Sequence, residues 1–235
     1  MYLIELYNYN LVVEGFVNSL KDICFTLAEG DAYAIKTAAA DDAYIFLKAL
    51  ATLVSPQTGT YRYMGETMDF SDYRKLLPFK KKICYVGQDS AMLSNKTVRE
   101  NLLLMRSYFE NSLSLDIDEK ALKLCKIFNI EDKLDLRPGT LRPVDLRIAI
   151  AIRELTKSFD VLLLERPEDY FGYNRFGLFN EILRDTLEHG HGVVFFSNNQ
   201  NFIDTFANRE VLIADGTLVK APVDRCSPLP PGEVP

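Results

Sequence analysis

The sequence lacks the features that would assign it to a nucleic acid, a metal or a lipid bilayer. Basic residues are in the minority: Lys and Arg total 27 against 33 Asp and Glu, a formal net charge of -6. That balance argues against the basic surface that phosphate neutralisation requires. The one tight basic run, Lys80-Lys81-Lys82, reads as a solvated loop. Cys24, Cys84, Cys125 and Cys226 form no C-x-x-C pair and have no histidine nearby. Zinc is therefore not expected, and reduced, mostly buried thiols in the cytosol are. No apolar run approaches the roughly 18 residues that span a bilayer. The start, Met1-Tyr-Leu-Ile-Glu5, is strand-like and has no basic region followed by an apolar stretch, so it is not read as a signal peptide. Work at a membrane would then pass through a partner.

What is present is the composition of a soluble globular chain, 48% hydrophobic and 26% charged over 235 residues. That length suits one large α/β domain or two closely connected lobes, with a core that needs neither disulfide nor metal. The first thirty residues alternate in strand fashion, and Gly30-Asp31 turns the chain into a buried strand, Ala32 to Ile35. A helix is expected from Ala43 to Val54, stopped by Ser55-Pro56. Strands are expected over Thr60 to Met64 and Lys82 to Val86, then a helical region over about Val98 to Phe128 and a helix over Val144 to Lys157. The unbroken apolar runs Val161 to Leu164 and Gly192 to Phe196 read as strands buried on both faces, with a helix from Asn174 to Glu188 between them. Glu210 to Val219 reads as a hairpin around Asp215-Gly216. Such alternation predicts a mostly parallel sheet. The tail, 221–235, carries five prolines and reads as disordered, or as a docking peptide.

A strand, a short loop and a helix in that order are the frame of a phosphate-binding loop, in which bare amides and one lysine wrap a triphosphate. Against G-x-x-x-x-G-K-[ST], however, Thr37 and Asp42 stand for the glycines, Ala43 for the lysine and Tyr44 for the hydroxyl residue. On this chemistry alone the segment is a plain strand-loop-helix.

Its surroundings say more. Gly30 to Ile35, Leu47 to Leu50, Leu53 to Thr60 and Tyr63-Met-Gly65 resemble the opening of an ABC-transporter nucleotide-binding domain. The resemblance runs to about residue 220. Val86-Gly-Gln88 with Leu93, Thr97-Val98 and Glu100-Asn-Leu102 resembles the Q-loop segment. Leu141-Arg-Pro-Val-Asp145 lies where the LSGGQ signature belongs, Glu165-Arg-Pro167 where the Walker B strand ends in Asp-Glu-Pro, and Ser197-Asn-Asn199 where the switch segment reads Thr-His-Asp. The resemblance implies an α/β, P-loop NTPase-like ABC ATPase fold: a RecA-like mixed-sheet core over 1–88 and 155–220, an N-terminal antiparallel β subdomain, and an inserted α-helical subdomain over 89–154.

Set against that family, each departure removes a named part of ATP hydrolysis. Ala43 supplies no cation to the β- and γ-phosphates, and Asp41 and Asp42 add like charge where the triphosphate would rest. One of these aspartates is expected instead to satisfy the free amides of the helix. Glu165 keeps a carboxylate that could reach a metal, but Arg166 cannot polarise water as a base. Asn198 replaces the switch histidine. Arg142, Pro143, Val144 and Asp145 replace the Ser, Gly, Gly and Gln that approach a partner's nucleotide. Glu14 stands where an adenine-stacking aromatic is expected, with Phe16 nearby. The expectation is a pseudo-ATPase without catalytic residues, without metal and with ATP and Mg²⁺ binding lost. Of the motifs, only Gln88 persists. The resemblance also implies partners: an integral-membrane permease and a second ABC ATPase subunit, as homodimer or heterodimer, at the cytoplasmic face of the cell membrane. Gln88, Asp89, Ser90, Ala91, Met92 and Leu93 are the expected permease contact. The spacing of Ser90 to Leu93 and Asn95 to Asn101 looks most like lipid-transport ATPases of the Mla/Mce and LolD-like groups. The alternatives are an atypical subunit that still binds ATP, or a soluble adaptor with no permease.

Overall fold

The computed structural model describes residues 1–12, 19–110 and 116–220, with the side chains of 105, 107–110 and 220 left aside. Glu14 and Phe16 and the proline-rich tail lie outside the described residues. In chain order the strands are β1 (Tyr2–Leu11), β2 (Leu20–Ala28), β3 (Ala32–Thr37), β4 (Thr58–Tyr63), β5 (Glu66–Thr67), β6 (Ile83–Val86), β7 (Val161–Glu165), β8 (Gly192–Phe196), β9 (Arg209–Ala214) and β10 (Thr217–Lys220). The helices are α1 (Ala40–Leu50), α2 (Tyr73–Lys80), α3 (Val98–Glu110), α4 (Glu119–Ile127), α5 (Pro143–Leu155), α6 (Pro167–Glu188) and α7 (Gln200–Phe206).

Two sheets form. One is antiparallel, in the order β2-β1-β4-β5; the other has the order β10-β9-β3-β8-β7-β6. Strands β9, β3, β8, β7 and β6 run parallel, and β10 closes the edge as an antiparallel hairpin partner of β9. The period-two rule of strands divides the core into two layers. Leu163, Val194 and Phe196 face the antiparallel sheet and α1, whereas Leu162, Leu164, Val193 and Phe195 face the helices α3 to α7. The uninterrupted apolar runs of β7 and β8 therefore cover both faces of one sheet, as both-sided burial demands. At the hairpin, Asp215 and Gly216 both take positive φ, 50° and 74°, the backbone of a type I′ turn. Gly59 has φ 96°, and a Cβ there would lie 2.3 Å from the carbonyl oxygen of Asn8, where β1 bulges. Only glycine fits that approach.

Several expectations need correction. Helix α1 begins at Ala40 and ends at Leu50, not over Ala43 to Val54, because Thr52 takes φ 55° and turns the chain. Lys80 and Lys81 are not loop residues: they are the last residue and the C-cap of α2, a helix capped by Asp72 that tolerates Pro78 in its interior. Helix α6 starts at Pro167, with a break at Gly172, rather than at Asn174. Cys84 and Cys125 are free and buried as expected, whereas Cys24 is disulfide-bonded. No described helix is long and apolar enough to cross a membrane.

Candidate functional site

The loop after β3 is shorter than a phosphate-wrapping loop. Helix starts at Ala40, so Ala38 and Ala39 alone separate strand from helix, and Asp41 and Asp42 sit in the first turn. Alanines favour helix where glycines would hold the backbone open. The N-cap residue, Ala39, makes no side-chain cap to the helix amides. The loop amide of Ala39 donates to Thr37 Oγ1 at 3.1 Å, and the Thr37 hydroxyl lies 3.3 Å from Asp42 Oδ2 as a donor. Asp42 is buried and Asp41 exposed. Ala43 is fully buried in the core. Tyr44 packs edge-on against Phe196 of β8 at 5.8 Å between ring centres.

Glu165, at the carboxyl end of β7, is 2% exposed. Both of its oxygens are engaged within the chain. The Tyr85 hydroxyl donates to Oε1, and the Gln88 amide donates to Oε2 at 2.7 Å. Burial pushes the Glu165 pKa up, only partly countered by the Tyr85 and Gln88 hydrogen bonds and by nearby Lys48. Burial and Glu165 together push the Tyr85 phenol up, so it remains a proton donor. Gly87 makes room for this arrangement: a Cβ there would lie 2.4 Å from Cζ of the Tyr85 ring.

Arg166 adopts a left-handed backbone, φ 45° and ψ 64°, and its amide donates to the carbonyl of Phe196 at 2.7 Å. Its guanidinium pairs with Asp169 at 3.1 Å, without hydrogen-bond alignment at Nε. Gln88 Nε2 reaches the same Asp169 carboxylate at 3.5 Å. The switch segment is held by Glu168, whose carboxylate accepts from the Ser197 hydroxyl at 2.9 Å and the Asn198 amide at 2.8 Å. The Asn198 residue is exposed, and Asn199 caps α7 by accepting from the Phe202 amide. The structure thus brings Gln88, Glu165 and Arg166 into one network, with Asn198 tethered beside it.

The signature positions lie apart from this network. Leu141 is partly buried, Arg142 is the N-cap residue of α5, Pro143 is its first residue, and Val144 is partly buried. Asp145 is 1% exposed and sits among three cations: Arg142 Nε at 2.8 Å, Arg175 Nη1 at 3.0 Å and Lys133 Nζ at 3.4 Å. Burial opposes its ionisation, but Arg142, Arg175 and Lys133 outweigh that and hold its pKa at about 2. The position read as the signature glutamine is an internal ionic centre that ties α5 to α6.

The segment Gln88 to Leu93 borders a groove of about 500 Å³, lined in part by Lys48, Leu53, Tyr85, Asp89, Ser90 and Glu154. Asp89 pairs with Lys48 at 2.6 Å, and the Ala91 carbonyl accepts from Arg153 at 2.7 Å. Met92 packs against the helical core, and Leu93 is half exposed. Asn101, fully buried, accepts from the Leu93 amide at 2.8 Å and donates to the Leu93 carbonyl at 3.1 Å. Sequence reasoning missed Tyr85, Glu168, Lys133 and Arg175. Strand parity carries a signal for the first: Tyr85 is level with Leu163 in the parallel pair, on the face that Glu165 shares.

No family model matches the chain. It is similar to a probable amino-acid ABC transporter ATP-binding protein of Haemophilus influenzae, 24% identical over 86% of this chain and 80% of that protein. It is also similar to the molybdate/tungstate import ATP-binding protein WtpC of Thermococcus kodakarensis, 25% identical over 89% and 64%. The macrolide export ATP-binding/permease protein MacB of Chlorobium phaeobacteroides is 22% identical over 92% of this chain. The chain thus spans four fifths of the first of these relatives, just under two thirds of WtpC and a third of MacB. Among solved structures, the dimeric bacterial ABC transporter cassette MJ0796 superposes with a TM-score of 0.78 at 19% identity, covering 93% of this chain and 97% of that one. An ATP-binding subunit of an ABC transporter gives 0.76 at 14% identity, covering 92% and 88%. With its mixed sheet, its antiparallel β subdomain and this likeness along nearly its whole length, the chain has the ABC ATPase fold of the P-loop NTPases.

Proposed function

We propose that the chain is a non-catalytic counterpart of ABC-transporter ATP-binding subunits, docking on an integral-membrane permease as a structural or regulatory component. The observation that carries this reading is the state of Glu165: the carboxylate read as the magnesium position is buried and bonded through both oxygens to Tyr85 and Gln88. Both donors would compete with a metal for these oxygens. The buried Ala43, the two-residue loop and the guanidinium at Arg166 support the same reading, since phosphate neutralisation and water activation each need a group of different chemistry there. In this reading the residues do not fit ATP and its magnesium ion.

The relatives supply the partner. They are named as ATP-binding proteins of transport systems, and MacB as an ATP-binding/permease protein. A permease partner places this chain peripherally on the cytoplasmic side of the membrane, with the Gln88 to Leu93 segment and its groove as the contact. Lipid cargo rests on the Ser90 to Asn101 spacing alone. The relatives named above carry amino acids, molybdate or tungstate, and macrolides, so the permease decides the cargo.

One finding favours a second reading, an atypical subunit that still binds nucleotide: the relatives are named as ATP-binding proteins. Titration of the purified chain with ATP and Mg²⁺ separates the two. Affinity no tighter than about millimolar is expected, and micromolar binding would sink the non-catalytic reading. Affinity purification from detergent-solubilised membranes is expected to recover an integral-membrane protein, and its absence would instead favour a free adaptor.

A further inference from the structure

The amino-terminal ends of β7 and β8 lie at the opposite edge of the sheet from Glu165, and α5 and α6 both end there. Between them and the start of α4 is an open hollow of about 370 Å³, whose walls include Lys120, Leu124, Phe159, Ile182, His189 and His191. That volume is at the small end of ligand pockets. The hollow shares Lys157 with the groove beside Gln88 to Leu93 and otherwise has its own walls. The chain has only two histidines, and both line it. The Phe159 ring joins the polar groups. The His191 ring lies 5.3 Å away between centres, and Lys120 Nζ lies 5.5 Å from the Phe159 ring centre, within reach of the attraction between a cation and a ring.

The charges leave one cation unmatched. Lys157 pairs with Glu154, and His189 Nδ1 lies 3.5 Å from the Asp185 carboxylate and 2.7 Å from the Asp185 carbonyl. Lys120 makes no ion pair among the described residues. One of its N–H groups goes to the Lys157 carbonyl at 3.1 Å, and an ammonium has three. Helix C-termini ordinarily repel an anion, because their free carbonyls carry partial negative charge. Here those carbonyls are occupied. Arg153 and Glu154 accept from the Thr156 hydroxyl and the Lys157 amide, at 2.8 and 3.1 Å. Thr186 and Leu187 accept from the amides of His191 and Gly190, at 3.3 and 2.9 Å. What stays open is a lysine with spare donors, a His191 ring with no hydrogen bond among the described residues, and apolar walls.

We propose that this hollow binds a small aromatic carboxylate, its ring among Leu124, Phe159 and Ile182 and its carboxylate on Lys120 Nζ and the His191 ring. One unmatched cation suits a monoanion. A phosphate dianion would bring a second charge without a partner and would leave the apolar walls unused. The site goes beyond the function read from the Glu165 network, and it holds whether or not the loop after β3 binds nucleotide.

Proton NMR of the full chain tests it, because two histidines give two imidazole Cε1–H signals, assigned with His189→Asn. Benzoate is the probe. Both signals should shift saturably, with a Kd between about 0.1 and 1 mM. Benzamide keeps the ring without the charge, and acetate keeps the charge without the ring. Each should bind at least about fivefold more weakly. Lys120 is exposed, so Lys120→Met removes the charge without a folding penalty and should weaken benzoate at least about fivefold, whereas Lys120→Arg should stay within about threefold of the parent. The same signals carry a second readout. Burial lowers the His191 pKa; Asp160 and Asp185 oppose this, and His189 and Lys120 add to it. A carboxylate bound at the ring should raise that pKa, so saturating benzoate should move the His191 titration to higher pH. No saturable shift up to about 10 mM benzoate, benzamide, acetate or inorganic phosphate binding as tightly as benzoate, a Lys120→Met variant that binds like the parent, or a His191 titration that benzoate leaves in place would overturn the proposal.

Discussion

Across the neighbouring parallel strands β6 and β7, the Tyr85 hydroxyl donates a hydrogen bond to Oε1 of Glu165, in a position where the carboxylate is 2% exposed. Replacing Tyr85 by Phe keeps the ring and removes the donor. A buried acceptor left without its partner costs about 1–3 kcal/mol, which urea unfolding would read. The loss should depend on pH with a definite sign. Burial already raises the Glu165 pKa above its ordinary value, so the group favours folding below its unfolded pKa, and that contribution is lost as pH rises through the folded value. Tyr85→Phe removes an interaction that lowers the folded pKa. The penalty should therefore be larger at neutral pH than at about pH 4; a penalty equal at both would refute the hydrogen bond.

Gly87 offers an independent route to the same contact. A methyl group at Gly87 would meet Cζ, Cε1 and the hydroxyl of Tyr85 between 2.4 and 2.5 Å, so Gly87→Ala must move the ring away from Glu165. Its destabilisation should be strongly non-additive with that of Tyr85→Phe, because both remove one interaction. A double-mutant cycle measures this, and strict additivity would contradict the shared mechanism.

The elements with long, uniform patterns were legible from sequence. Strands β7 and β8 and the hairpin at Asp215-Gly216 follow from apolar runs and turn chemistry, because both-sided burial leaves little freedom in residue type. Elements that rest on caps or exceptions were not. Helix α7 has seven residues and an Asn199 cap, and α2 carries Pro78, so neither shows the periodicity that marks a helix. Helix α6 hides its first turns behind Gly172, whose backbone breaks the pattern. At the site, order along the chain located Glu165, Asn198 and Asp145, but residue identity could not say what they bond. Whether Asp145 is an idle replacement or an ionic centre depends on Lys133 and Arg175, which long-range folding alone brings to it.

That ionic centre predicts an acid response. The Asp145 pKa is held at about 2, below its unfolded value, so its contribution is present above the unfolded pKa and lost as pH falls through the folded one. The contribution is about 2 kcal/mol by linkage. Asp145→Asn should lower stability at neutral pH by about that amount or more, since three cations lose their counter-charge. Between about pH 4 and pH 2 the difference between variant and parent should shrink. Parallel acid-unfolding curves over that interval would refute the role of the cation cluster.

The loop itself gives the sharpest test of how many parts differ. Ala43 is fully buried, so Ala43→Lys alone places a charge in the core and should cost several kcal/mol, read as a lowered melting temperature, with no gain in nucleotide affinity. Adding Thr37→Gly, Asp42→Gly and Tyr44→Ser completes the phosphate-loop pattern and frees the backbone around Ala38 and Ala39. Glu165 would still be bonded to Tyr85 and to the Gln88 amide, leaving magnesium to compete with both for its carboxylate. The fourfold variant is therefore expected to bind ATP and Mg²⁺ no tighter than about millimolar, and the addition of Tyr85→Phe is expected to tighten that binding. Calorimetric titration separates the cases. Submillimolar affinity from the four loop changes alone would mean that the loop is the whole of the difference, and that the tyrosine on Glu165 is no barrier to a metal.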